Sequence, residues 1–254
     1  MIYFFMNKRS IFILLFGIVF YLGSCGEKKA TQKELNTYIN PLNLNYRFNI
    51  EEPSHRTAAD PVIILFKGKY YLFASKAGGY WTSDNLVNWE LIKTSDLPLE
   101  DYAPAVISIE GTLYFMANSH RQKDGTYSTQ AIYETHNPRS GQWKITNSEF
   151  PFIASDPAFF QDDDGSVYLY YGLGRNGPIK GVELDLENSL NPKGEVFTCI
   201  VGNADEHGWE RRGDYNEQTD QPFIEGAWMT KHQGKYYLQY AAPGTQFKCY
   251  ADGV

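Results

Sequence analysis

Short apolar runs, each broken by a glycine turn and resumed by a run rich in Tyr and Phe, recur along the chain. "ADPVIILFKGKYYLFAS" starts at Ala59, "YAPAVISIEGTLYFMANS" at Tyr102, "SDPAFFQDDDGSVYLYYG" at Ser155 and "IEGAWMTKHQGKYYLQYA" at Ile224. Each reads as an antiparallel hairpin, because aromatic and β-branched residues flank turn chemistry at a fixed offset. Past the first thirty residues no sustained helical periodicity competes with this pattern.

Further strand-like segments follow the hairpins. "GGYWTSDNLVNWELI" after the first is echoed by "AIYETHNPRSGQWKI" after the second, each placing a turn before a tryptophan, Trp89 and Trp143. Aligned on Asp60, Ala103, Asp156 and Glu225, the units start 43, 53 and 69 residues apart, and each of these residues stands eight or nine positions before its turn glycine (Gly68, Gly111, Gly165, Gly234). Units of four strands with internal similarity predict an all-β fold of propeller type, with about four blades in this chain, rather than a β-sandwich. The fourth unit has thirty residues, Glu225 to Val254, where the pattern calls for outer strands. The expectation is therefore an incomplete last blade, with at least one further blade outside the chain.

Composition narrows the class. At 254 residues and 43% hydrophobic the chain can bury a full core, and 16% aromatic content suits strands and sugar-facing surfaces. A net charge of -7 gives no basic footprint for nucleic acid. At the N-terminus, Lys8 and Arg9 precede the apolar run Ile11 to Leu22, which ends in "LGSC". That pattern resembles a bacterial lipoprotein signal over residues 1–25, with Cys25 as the lipidated residue. An ordinary secretory signal is the alternative. Residues 26–40 read as a polar tether and 41–254 as the globular domain, exported to the periplasm, outer membrane or cell surface. In that oxidising setting Cys199 and Cys249 either pair or stay free.

In a propeller the first strand of each blade lines the axis, so Asp60, Asp156 and Glu225 converge at one end of it, with Ala103 in the fourth place. Asp-Pro before a strand is also ordinary turn chemistry. Three acids at one repeat position are instead an electrostatic cost unless a site uses them. "ADP", "SDP" and "IEG" in successive units resemble the acidic triad of glycoside hydrolase family 43, the five-bladed inverting xylosidases, arabinofuranosidases and arabinanases. The resemblance covers roughly residues 45 to 254. It implies Asp60 as general base, Asp156 as the residue that modulates pKa and orients, and Glu225 as general acid. Inverting hydrolysis asks for such a pair, one carboxylate to activate water and one carboxylic acid to protonate the leaving oxygen, about 6.5–9.5 Å apart.

Other residues carry weaker expectations. Trp228, close behind Glu225, is a candidate sugar platform; Tyr102 and Trp81 either stack on sugar or fill the core; His120 and Arg121 either contact sugar at the rim or sit in solvent. "QDDDG" at Gln161 to Gly165 lacks the ligand pattern of a calcium loop and reads as a hairpin turn. The polar stretch from Asn203 into the fourth unit either shapes subsites or is a surface loop. The expected partners are a carbohydrate substrate and, through Cys25, a membrane. The chemistry requires no cofactor, and no residue is assignable to an axial metal. A retaining propeller hydrolase of the sucrose and fructan type and a glycan-binding lipoprotein without turnover are the competing readings.

Overall fold

The computed structural model describes residues 44, 58–98, 102–118, 129–175 and 177–254. The expectations for Cys25, the tether, His120 and Arg121 lie outside the described residues. Among the described residues fifteen strands form four antiparallel sheets, each strand paired with its neighbour in sequence. The first sheet holds β1 (Val62–Phe66), β2 (Lys69–Phe73), β3 (Tyr80–Ser83) and β4 (Glu90–Ile92). The second holds β5 (Ala105–Ile109), β6 (Thr112–Met116), β7 (Ile132–Thr135) and β8 (Lys144–Asn147). The third is β9 (Ala158–Gln161), β10 (Val167–Tyr171), β11 (Ile179–Asp185) and β12 (Asn191–Ile200), and the fourth is β13 (Glu225–His232), β14 (Lys235–Ala242) and β15 (Ala251–Gly253). Among the described residues the helical content is three short 3-10 turns.

The turn glycines do what the sequence pattern asks of them. Lys67 and Gly68 have φ of 48° and 79°, Glu110 and Gly111 46° and 77°, and Gln233 and Gly234 49° and 75°. Two consecutive left-handed residues make the two-residue hairpin whose twist matches that of the strands. The third hairpin is one residue longer: Gly165 N–H donates to Asp162 O at 3.0 Å and Asp162 N–H to Ser166 O at 2.9 Å. That extra residue accounts for the nine-residue spacing from Asp156 to Gly165.

The first strands of successive sheets, β1, β5, β9 and β13, lie side by side, as the inner strands of a propeller do. The core is therefore a set of seams between blades. Between blades one and two, Phe73, Tyr80, Phe115 and Trp143 pack together, with Trp143 edge-on to Phe73 and Tyr80 at 6.0 and 5.9 Å. The buried polar edges are satisfied: Trp143 Nε1–H donates to Tyr80 Oη at 3.0 Å, and that hydroxyl donates to Pro138 O at 2.6 Å. Ile107, Met116, Leu169 and Val182 fill the next seam, and Tyr170, Ile224, Ala227 and Tyr240 the third. A hydrogen-bonded lock at the surface ties blade three to blade four: Asp162 accepts from Lys231 Nζ and from Tyr236 Oη, the latter at 2.5 Å, and Asp163 pairs with Lys231 at 2.8 Å. The "QDDDG" acids thus form a turn and an ion pair, and among the described residues no cluster of metal-binding side chains occurs.

Packing decides two alternatives that the sequence leaves open, and removes Trp81 from the candidate sugar contacts. Trp81 is fully buried against Leu72, Ala74 and Ala77, so it is core and offers no surface to a sugar. Cys199 and Cys249 are both free; Cys249 Sγ donates to Gly213 O at 2.8 Å and accepts from Asn216 Nδ2 at 3.2 Å. Those contacts, with Lys248 pairing to Asp214 and Trp209 packing on Tyr240 at 5.1 Å, bind the stretch from Asn203 to Asp220 against β14 and the loop before β15.

Candidate active site

Each blade has one residue in the left-handed region at the start of its inner strand, two positions before β1, β5 and β9 and inside β13. Asp60, Ala103 and Asp156 have φ of 52°, 47° and 48°. In the fourth blade the equivalent residue is Gly226, at 67°, and Glu225 is one position earlier. The hydrogen-bond ladder confirms this register. Ala59, Tyr102 and Ser155 each accept at the carbonyl oxygen from Ser75, Asn118 and Gly172 respectively, at 2.9, 2.8 and 2.8 Å, and Glu225 pairs with Ala241 in the same place. The alignment that put Glu225 level with Asp60 is thus off by one residue. Asp tolerates the left-handed region better than most residues, because its short side chain bonds locally, whereas Glu has no such preference. A glycine takes the strained position in blade four, and the longer Glu reaches from extended backbone beside it.

Asp60 and Asp156 line one cavity, and Glu225, which is not in its wall, lies within electrostatic reach of both. The cavity, of about 370 Å3, opens at this end of the molecule, walled by Asp60, Ala103, Asp156, Trp228, Tyr250 and Asp252 among others. Asp156 accepts from Gly226 N–H across the blade seam at 3.3 Å, and Asn118 Nδ2 stands 3.5 Å from its other oxygen. Burial, then the charges of Glu225 and Asp60, push the Asp156 carboxyl up to about 7, against the pull of the Gly226 N–H. Glu225 is also raised, mainly by burial and secondarily by Asp60, while a hydrogen bond from Tyr250 opposes the shift. Burial rather than the Asp156 charge is therefore the main cause at Glu225. The two carboxyls together hold a proton more readily than free acids do.

Asp60 is exposed at the cavity and is held from behind. Ser75, 1% exposed, donates its hydroxyl to Asp60 Oδ2 at 2.5 Å and accepts Ala103 N–H at 2.8 Å. Trp228 also lines the cavity and is 43% exposed. Tyr102 stands beside the cavity rather than in its wall, 48% exposed, with Lys76 Nζ 4.4 Å from its ring centroid. Sequence reasoning missed Ser75, Tyr250 and Asp252. The signal for Ser75 was its place fifteen residues after Asp60, the same interval that separates Asn118 from Ala103. "CYADGV" carried Tyr250 and Asp252 but had no counterpart in the other units.

Comparison with known proteins agrees with this geometry. The family model described as glycosyl hydrolases family 43 matches residues 53–254. A xylosidase/arabinosidase of Bacteroides ovatus is 24% identical over 248 residues, spanning 77% of this chain and 73% of the relative. A beta-xylosidase of Xylanibacter ruminicola is 29% identical over 243 residues, spanning 77% and 75%. The crystal structure of a thermostable family-43 glycoside hydrolase superposes with a TM-score of 0.65 at 25% identity, over 85% of this chain and 70% of that one. With the propeller blades, the converging acids and a family match over most of its length, the chain belongs to glycosyl hydrolases family 43, a family of glycosidases.

Proposed function

We propose that the protein hydrolyses pentose-containing plant polysaccharides or their oligosaccharides, as a β-xylosidase or α-L-arabinofuranosidase, with inversion at the anomeric carbon. The observation that carries this reading is the meeting of Asp60, Asp156 and Gly226, with Glu225 beside it, around one water-accessible cavity. The xylosidase and arabinosidase names of the relatives support the sugar class.

In this reading Asp60 removes a proton from water as the water attacks the anomeric carbon, and Glu225 protonates the departing oxygen on the other face. Glu225 suits the acid role because burial disfavours its charged form. Asp156, which accepts the N–H of Gly226 next to Glu225, orients the acid. Trp228 stacks on the apolar face of the sugar. We also infer that Cys25 carries a lipid that anchors the exported protein at the outer membrane or cell surface, on the strength of "LGSC" alone.

Glu225→Gln tests the roles. It should slow hydrolysis of a natural oligosaccharide by about 10²–10⁴-fold, with a much smaller loss on an aryl glycoside whose leaving group needs no proton. Equal activity on both substrates would remove Glu225 from the acid role.

A further inference from the structure

We propose that Ser75 is the positioning residue for Asp60, holding Oδ2 as a hydrogen-bond acceptor so that Oδ1 is the atom that receives the proton of the attacking water. The inference rests on the reading of Asp60 as general base and deepens it.

Directionality carries the argument. A backbone N–H only donates, so where Ala103 N–H meets Ser75 Oγ at 2.8 Å the serine must accept. Its single hydroxyl proton is then directed to Asp60 Oδ2, 2.5 Å away. These two bonds hold the hydroxyl in one orientation, on a buried residue whose own N–H is anchored to Ala59 O at 2.9 Å. With Oδ2 occupied from behind, Oδ1 is left for the cavity.

The other blades show that this is a local device and not a generic feature of the repeat. The equivalent residues are Asn118, Gly172 and Ala241, and Ser75 alone brings a hydroxyl. At Gly172 a side chain is sterically barred, since a Cβ would lie 2.4 Å from Pro178 O. Gly226 N–H accordingly donates straight to Asp156. At the first seam the corresponding N–H, from Ala103, reaches its acid through Ser75. The step served is balanced: the water O–H bond breaks with its proton passing to Asp60 Oδ1, the water oxygen bonds the anomeric carbon, and the bond to the leaving oxygen breaks as Glu225 protonates it.

Azide tests the proposal, because it attacks without a proton to lose and so bypasses the base. On an aryl β-D-xyloside or α-L-arabinofuranoside, Ser75→Ala should lower kcat for hydrolysis about 10- to 100-fold, the range of one hydrogen bond to a charged group, with KM nearly unchanged. Added azide should restore turnover and yield the glycosyl azide. Wild-type kcat in Ser75→Ala, or a loss that azide leaves in place, would overturn the positioning role. Should Ser75→Ala fail to fold, Ser75→Cys, of similar shape but a weaker donor, is read by the same azide ratio. Asp60→Asn separates the two levels: hydrolysis undiminished in that variant would sink the base assignment itself, whatever Ser75 does.

Discussion

One left-handed residue per blade decides which acid can stand at the mouth of the propeller. Asp60 and Asp156 occupy it themselves, whereas Glu225 leaves it to Gly226. Gly226→Ala should cost about 1–2 kcal/mol of stability through backbone strain alone, since an added Cβ would meet only Ala241 Cβ at an ordinary 3.6 Å. Denaturant unfolding checks it. Asp156 gives a second test. Its carboxyl is raised from 3.8 to about 7, so the folded state binds that proton more tightly than the unfolded chain. The associated stability is fully present below about pH 4 and is lost as pH rises through about 7. Asp156→Asn should therefore be more stable than wild type at about pH 8, by on the order of 1–3 kcal/mol, with the gain fading towards about pH 4. An equal effect at both pH values would contradict the buried-carboxyl account. Asp60 and Asp156 were legible because Asp-Pro recurs, and Glu225 because it stands near the same place in the fourth unit; its one-residue offset was not, because spacing to the turn glycine absorbs both a longer hairpin in blade three and a shifted acid in blade four.

Among the elements, hairpins were the most readable and their junctions the least. A glycine following a polar residue between two apolar runs specifies a two-residue turn by local chemistry, and three such turns are found. Seams between blades depend on which side chains meet across sequence separations of tens of residues, and no local pattern encodes them. Trp81 illustrates the limit: an aromatic on a third strand reads as sugar contact or as core until its neighbours are known. The lock between blades three and four makes a prediction here. Asp162 is pulled down to about 2 by Lys231 and Tyr236, so its contribution to stability is present above the ordinary carboxylate range and is lost as pH falls through about 2. Lys231→Met should lower Tm at neutral pH, and the difference from wild type should shrink in strong acid. The stretch from Asn203 to Asp220 was ambiguous for the same reason as Trp81. Its contacts to Cys249 and Lys248 are what make it a brace for the loop that carries Tyr250.

For the whole molecule, the repeat in the sequence already implied that equivalent positions converge on an axis, and the four sheets with adjacent inner strands bear that out. What the arrangement adds is an uneven treatment of three like charges. Asp60 is exposed and held by Ser75, whereas burial raises the proton affinity of Asp156 and Glu225. Separate environments for paired carboxyls are what acid and base roles require. Trp228→Ala should raise KM for an oligosaccharide several-fold with less change in kcat, because stacking acts on the bound sugar as a whole. The most direct test of the account is proton NMR of the sugar first released from a panel of xylosides, arabinofuranosides and galactosides. The account predicts release of a pentose whose first-formed anomer is inverted relative to the substrate. First release of the retained anomer would contradict the assignment of Asp60 as a base acting through water.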